Sequence, residues 1–457
     1  MSEHPPTGRG ELRAMVRLGL PIVAVLLGMR GMSTVDVLMV GRYSEQALGA
    51  VSMANAWVWF VTMCCMGIVM AAEPLIAQAV GARDLPAISR HVQRGFVLVG
   101  LLAIPATLLI GGCVEPLLRA TGQDSRVVPD ATAYARIVSF GTLPVLAFAL
   151  LRFTMQAFAK VRVIVIVILI ANLVNALANY GLIFGHFGLP RLGVEGSAWA
   201  TVLSRWLMAT LLLAFSWPIL GPHVRSFADP EARGRALRLR AIGRVVAIGL
   251  PIGLQSSLEL GVFAATTLTV GRLGVEVIGG HQVALDLASI AFMVPMALGM
   301  AASVRVGHAV GRGDMPAARR VATVALILVT GTELVFAVGF LGMPRTLAQL
   351  YTPLEGVIGV ATALLPIAGV FQLFDGLQAV ATGVLRGVGA TKSAMLVSLV
   401  GFWGIGFPVG LWLCFGARYG AVGMWWGLVA GLGAVAALLL VLARRRLARE
   451  ITALSVD

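Results

Sequence analysis

Charge is what this sequence has least of. Only 12% of its 457 residues are Asp, Glu, Lys or Arg, while 58% are hydrophobic and the mean hydropathy is +0.91. Soluble domains carry about 25% charged residues, so too little charge is present to cover a water-facing surface several domains wide. That excludes a large soluble enzyme, a disordered regulator and a nucleic-acid-binding module. Cysteine is nearly absent. Cys64, Cys65, Cys113 and Cys414 fall in or beside apolar stretches, with no repeated spacing and no nearby His pair, and read as packing residues rather than a disulfide framework or zinc site. No P-loop couples the chain to ATP, no Ser/His/Asp constellation occurs, and no paired aspartate-rich motif would hold Mg²⁺ on a diphosphate. Glycine is plentiful, with 54 residues, but follows no collagen-like period. Small residues in apolar segments suit close helix packing in lipid.

Long apolar runs are what remain, and they give the class. Segments of membrane-spanning length, about 20 residues for a ~30 Å hydrocarbon core, lie near 15–41, 50–79, 95–114, 131–158, 163–184 and 196–217. Six more lie near 243–270, 278–303, 321–342, 357–384, 393–415 and 421–443. Twelve spans put both termini on one side. With the N-terminus inside, 24 of the 35 Lys and Arg fall on cytoplasmic segments and 7 on external ones; Arg30, Arg136, Arg152 and Arg205 lie within or at the edges of spans. This asymmetry is the positive-inside rule, and it accounts for the net charge of +14 without a polyanion partner. The expectation is a multi-pass membrane protein with both termini cytoplasmic. The polar stretch Met1 to Glu11 leads into the first span with no small-residue cleavage site, so the first helix is expected to be retained.

The chain repeats itself. Shifted by 230 residues, Gly19-Leu20-Pro21-Ile22 falls on Gly249-Leu250-Pro251-Ile252, and Gly41-Arg42 falls on Gly271-Arg272. Val80-Gly81 falls on Val310-Gly311, Asp84 on Asp314, Pro86-Ala87 on Pro316-Ala317, Arg90 on Arg320 and Arg162 on Lys392. Six spans separate equivalent points, so the halves share one orientation, as parallel repeats about the membrane normal do. The expected fold is all-α, with twelve transmembrane helices in two six-helix parallel-repeat bundles around a central cavity. Its lobes are residues 1–217 and 241–457, joined by a charged cytoplasmic linker over 218–240. Two such bundles suit alternating access, with binding sites inside the cavity.

Several stretches carry a family resemblance. Val35-Asp36 to Gly41-Arg42-Tyr43, Glu73-Pro74-Leu75-Ile76-Ala77-Gln78 to Gly81, and Gly280-His281-Gln282-Val283-Ala284-Leu285 resemble the multidrug and toxic compound extrusion (MATE) family. So do Arg305-Val306-Gly307-His308 and Arg386-Gly387-Val388-Gly389-Ala390-Thr391-Lys392, with the NorM-like bacterial branch as the best fit. The resemblance runs from about Leu18 to about Val441, in order and in both halves. It implies a monomeric antiporter in membrane lipid that exports drug-like, amphiphilic, cationic small molecules against an inward flow of Na⁺ or H⁺. It implies no cofactor beyond that ion, and no nucleic acid as partner. The rivals are a flippase for lipid-linked precursors, from the same wider superfamily, and a non-transport membrane enzyme or receptor. Flippases usually have fourteen spans and a cationic cavity; the repeat and the missing catalytic motifs count against an enzyme or receptor.

Six carboxylates lie within the spans: Asp36, Glu73, Glu259, Asp286, Glu333 and Asp375. A charge at a helix centre costs roughly 2.5–3.5 kcal/mol on insertion scales, so each must face a cavity, meet a cation or carry a proton. At 1.5 Å per residue, Glu259 lies ~22 Å along its helix from Arg244, and Asp375 ~16 Å from Arg386, well away from both interfaces. Their repeat equivalents are Met29 and Val145, so only the C-terminal half carries acids there. The resemblance assigns cation coupling to Glu259 and Asp375, which makes them the Na⁺ candidates, and Asp286 adds a third charge or answers an Arg. It assigns Asp36 to cation or substrate recognition in the N-terminal lobe, facing Asn175 and Asn179. Those amides are four apart, hence on one helical face, and serve either recognition or helix-to-helix bonding. Phe371, one turn before Asp375, stands where the resemblance implies a tyrosine. Arg30 and Arg152 either pair with a carboxylate of another helix or line the substrate cavity with Phe371. Glu73 is placed near the inner end within reach of interfacial water, and Glu333, without a motif, is given a structural role.

Overall fold

The computed structural model describes residues 8–449 together with Ile451 and Leu454, and every regular element among them is helical. In chain order the first half contains α1 (Gly8–Tyr43), α2 (Glu45–Met70), α3 (Ala72–Ala82), α4 (Leu85–Ala120), α5 (Val128–Ser139), α6 (Thr142–Ala157), α7 (Arg162–Phe184), α8 (Val194–Arg225) and the short α9 (Pro230–Ala236). The second half contains α10 (Leu239–Gly271), α11 (Val275–Ala291), α12 (Met293–Gly311), α13 (Met315–Gly342), α14 (Pro344–Gln349), α15 (Glu355–Gly387), α16 (Thr391–Ser398), α17 (Phe407–Leu411) and α18 (Gly420–Leu447). Taking α2–α3, α11–α12 and the run from α16 to Gly416 as single spans, eleven among the described residues are long and apolar enough to cross a membrane. The pair α5–α6, bent by 49°, makes twelve. Side chains such as Leu108, Leu268 and Val335 stand 67%, 75% and 71% exposed along these helices. Large apolar side chains this exposed in mid-helix belong against lipid tails.

The repeat is visible in the local chemistry of the turns. Asp84 and Asp314 each cap the following helix, accepting a hydrogen bond from the amide of Ala87 and Ala317 at 2.9 Å, with a proline in the first turn. Such a cap contributes about 1 kcal/mol. The residues just before them, Arg83 and Gly313, take left-handed backbone at φ 57° and 73°. The pair Ala159 and Gly389 does the same at 57° and 81°. Where Gly313 and Gly389 fit the turn without strain, their N-terminal partners carry a Cβ through it.

By internal contacts the chain forms two units. One is Ala24–Gly253; the other joins residues 8–23 to Leu254–Leu454. The division therefore falls inside α1 and α10, at repeat-equivalent points three residues beyond Pro21 and Pro251. The start of α1 is held in its unit by Glu11, which is 4% exposed and accepts from Arg305 Nε at 2.8 Å and Nη2 at 2.7 Å.

In the unit of residues 24–253, α8 packs on α5, α6 and α7, and α4 on α2, α3, α5 and α6. The segment expected as a linker, 218–240, is largely helical, because α8 runs on through Pro218 and Pro222 to Arg225 and α9 follows. It is bound to α4: Gln93 Nε2 donates to the His223 carbonyl at 2.8 Å and to Ser226 Oγ at 2.7 Å, and Arg94 Nη2 donates to the Arg235 carbonyl at 3.2 Å. In the other unit α15 is central, with α11, α12, α13 and α18 packed on it. Close approach there depends on small residues. A Cβ on Gly383 would lie 2.0 Å from the Gly299 carbonyl oxygen, and one on Gly387 2.7 Å from that of Ser303, so α12 and α15 meet backbone to backbone.

Candidate functional site

Each unit encloses a polar centre on otherwise apolar helices. In the first, α1 supplies Asp36 and α7 supplies Asn175 and Asn179. The buried face of α7 runs Ile164, Ile168, Ala171, Asn175 and Asn179, while Leu169 and Leu173 point outward, 64% and 63% exposed. The two amides, one turn apart, therefore stack inward. Asn179 Nδ2 donates to Asp36 Oδ1 at 2.6 Å and to the Asn175 carbonyl at 3.0 Å. Asn175 faces the same carboxylate, its amide atoms fully buried and short of hydrogen-bond geometry. Thr201 and Arg205 of α8 also act on Asp36. Arg205 reaches in over the α5–α6 bend, where a Cβ on Gly141 would lie 2.8 Å from its Cδ. Tyr134 of α5 completes the group, its hydroxyl donating to Asn55 Oδ1 at 3.3 Å.

Arg152 and Glu73 belong together rather than to this centre. Arg152 is 5% exposed on α6 and Glu73 3% exposed on α3, and the Glu73 charge acts on Arg152. Glu73 therefore does not reach interfacial water, and Arg152 has the carboxylate of another helix as its counter-charge. Arg30 is half-buried on α1, its carbonyl accepting from Thr34 Oγ1 at 3.1 Å.

The centre in the second unit is built on α10, α13 and α15. Glu259, half-buried on α10, is reached by the Gln378 side chain and by the charge of Arg386, both on α15. Asp375 is 4% exposed one turn before Gln378, and the charges acting on it are Glu259 and Glu333. Glu333 of α13 is 0% exposed. It lies against α15 because residue 376 is glycine: a Cβ there would be 2.5 Å from Glu333 Cγ. Neither oxygen of Glu333 has a hydrogen-bond partner, nor do Asp375 Oδ1 and Gln378 Oε1. Among the described residues no three His, Cys, Asp or Glu side chains stand close enough together to hold a metal ion.

The surroundings fix these groups in place. One turn before Glu259, Gln255 Nε2 bridges Thr382 Oγ1 at 3.3 Å and Ser398 Oγ at 3.1 Å. The Trp403 indole, in the π-helical turn Leu399–Gly406, donates to the Leu258 carbonyl at 3.0 Å. Phe371 is 3% exposed and packs between Phe263 and Trp425, each ring centroid 6.0 Å away. It offers no oxygen where a tyrosine was implied. His281 receives the Trp425 Nε1 hydrogen on Nδ1 at 3.1 Å and meets Thr267 Oγ1 through Nε2 at 3.0 Å. Both ring nitrogens are engaged, which makes it a packing residue. Asp286 accepts from the Tyr351 hydroxyl at 2.8 Å. The two acids acting on Asp375 are Glu259 and Glu333. Sequence reasoning missed Thr201, Arg205 and Tyr134. Arg205 alone left a signal, as a charge inside a span.

Repeated apolar helices that enclose acids and amides define, among the described residues, a multi-pass membrane protein with a buried polar centre in each unit. The MatE family model matches residues 21–181 and again 251–412, one copy in each half, and the chain belongs to the MATE family. It is 37% identical over 443 residues to the "Probable multidrug resistance protein NorM" of Burkholderia pseudomallei (strain K96243), covering 95% of this chain and 93% of that one. It is 36% identical over 445 residues to the "Multidrug resistance protein NorM" of Burkholderia vietnamiensis, covering 95% and 94%. The eukaryotic MATE transporter AtDTX14 shares the fold with a TM-score of 0.83 at 24% identity, over 97% of this chain and all of that one. A MATE crystal structure in the bent conformation does so with a TM-score of 0.85 at 18% identity, over 96% of each.

Proposed function

We propose that this protein is a multidrug exporter of the NorM kind, a secondary antiporter that moves amphiphilic, cationic organic compounds outward in exchange for H⁺ or Na⁺ by alternating access. Asp375 carries the reading: a 4%-exposed mid-span carboxylate whose acting charges are two further acids. A carboxylate withdrawn from water is stable only with a proton, a metal cation or a cationic ligand beside it. Coupling ion and cationic cargo then compete for the same negative charge. That competition is antiport written as binding linkage, because each weakens the other's affinity by the same factor. The names of the relatives, multidrug resistance proteins, support drugs as cargo, and the buried acids support a cationic one.

In this reading Glu259 and Asp375 hold the coupling ion, and Asp36, with Asn175 and Asn179, forms the cation or substrate site of the N-terminal lobe. The donor set favours H⁺ over Na⁺. Phe371 supplies no oxygen where the resemblance implies a tyrosine, which removes one oxygen ligand from a Na⁺ site and leaves a proton unaffected. The repeat halves 1–217 and 241–457 act as the two lobes of a monomer in a bacterial inner membrane. Both termini are cytoplasmic, as the excess of Lys and Arg on the loops assigned inside supports.

Purified protein in proteoliposomes, with Na⁺ and pH gradients imposed separately, tests this. The pH gradient alone is expected to drive accumulation of a cationic dye such as ethidium. If neither gradient moves the dye, the antiporter reading is wrong.

A further inference from the structure

Beyond the pair Glu259 and Asp375, the second unit holds an acid that cation coupling as described leaves unexplained. Glu333 is fully buried, both its oxygens lack hydrogen-bond donors, and no basic side chain among the described residues acts on it. A structural carboxylate is bonded or ion-paired, as Glu11 is by Arg305 in the same unit. Glu333 is neither. The sequence makes room for it, since only glycine at 376 lets its side chain lie against α15 beside Asp375. Gln378 Oε1, 2% exposed on the side chain that reaches Glu259, is a further acceptor without a donor. The centre therefore gathers carboxylate and amide oxygens that no protein donor among the described residues meets.

The charge balance points the same way. With Glu259, Asp375 and Glu333 all ionised, the cluster carries three negative charges, and Arg386, the basic side chain that acts on Glu259, offsets one of them. Two charges remain to be compensated in a region that lipid surrounds. Since no three acids converge on one metal position, a single multivalent ion does not answer the deficit. Two monovalent cations do.

We propose that Glu333 is a second cation-binding group of the transport cycle, so that two monovalent cations, one at Glu259–Asp375 and one at Glu333, enter for each cargo molecule that leaves. The inference rests on the antiport reading above and fixes its stoichiometry. Exchange of two such cations for one monovalent dye moves one net charge, whereas one-for-one exchange moves none.

The test uses wild-type protein in proteoliposomes, with a potential clamped by K⁺ and valinomycin and with ethidium as the dye. Moving one charge through 100 mV multiplies the attainable dye gradient about 50-fold. Wild-type protein is expected to show that gain when the compartment losing dye is held negative. Glu333→Gln, which removes the charge and keeps the shape, is expected to export with no gain from potential. Glu333→Asp keeps the charge and should retain the gain, and Gly376→Ala, which displaces the Glu333 side chain, should lose it. Replacing Na⁺ by choline identifies the second ion: a surviving gain means a proton, a lost gain means Na⁺. Ion-driven export that ignores potential in wild type, or a gain that persists in Glu333→Gln, overturns the proposal and leaves the antiport reading standing. Absence of any ion-driven export in wild type refutes the antiport reading itself.

Discussion

Asp36→Asn separates charge from shape more cleanly than any other substitution in the first unit. The asparagine keeps an oxygen where Asp36 Oδ1 accepts from Asn179 Nδ2 at 2.6 Å. The bond changes from charge-assisted to neutral, at a cost of about 1 kcal/mol. In a chain this long such a loss lowers Tm by only about 2 °C. The effect on a bound cation is much larger. A unit charge about 4 Å from the carboxylate gains roughly 4 kcal/mol at an effective dielectric constant near 20, about 10³-fold in affinity. Arg205 acts on the same carboxylate and offsets part of that gain. The expected loss in cationic-dye affinity is therefore between about 10-fold and 10³-fold. Dye binding to detergent-solubilised protein, melting curves and export from everted vesicles read the three quantities separately. An Asp36→Asn protein that melts like wild type and binds and exports a panel of cationic dyes unchanged would show that Asp36 is idle.

Three further expectations follow from packing and charge. Gly383→Ala places a Cβ 2.0 Å from the Gly299 carbonyl oxygen and should cost about 1–3 kcal/mol. Gly339→Ala meets nothing within 4 Å and should be neutral or stabilising by up to about 1 kcal/mol; equal melting temperatures for the two would refute the backbone contact. Arg152→Met alone removes a counter-charge of the 3%-exposed Glu73 and should destabilise by about 3–5 kcal/mol, with most of the loss recovered in the double variant Glu73→Gln, Arg152→Met. Additive losses in that cycle would mean the two charges do not interact. Reporter fusions at Arg238 and at the C-terminus, which lies outside the described residues, should report cytoplasm, and one at Gln123 the outside. A C-terminus on the external side would break the even number of spans.

Most of the architecture was legible because membranes impose strong rules on sequence. Spans appear as apolar runs, and one offset relates Asp84 to Asp314 before their shared capping geometry is seen. The division inside α1 and α10 was hidden, because a continuous helix carries no local sign of where its packing partners change. The tie between α4 and the segment after α8 was hidden too, since Gln93 and Ser226 are 133 residues apart. Helical spacing showed that Asn175 and Asn179 share a face, and the family resemblance, not the spacing, set that face toward Asp36. Thr201 and Tyr134 escaped notice, since a hydroxyl in a span is commonplace and only tertiary structure brings it to the acid. Glu333 was given a structural role on sequence grounds for a related reason. It belongs to no motif, and its importance depends on glycine at 376 on another helix.

The most direct test of the account is the linkage between coupling ion and cargo at Glu259 and Asp375. Dye affinity should be titrated in wild type, Glu259→Gln and Asp375→Asn as pH falls and, separately, as Na⁺ is added. The account predicts that the coupling ion weakens dye binding to wild type and leaves the affinity of both variants unchanged, with ion-driven export lost in each. Both variants still exporting dye against its gradient would contradict it.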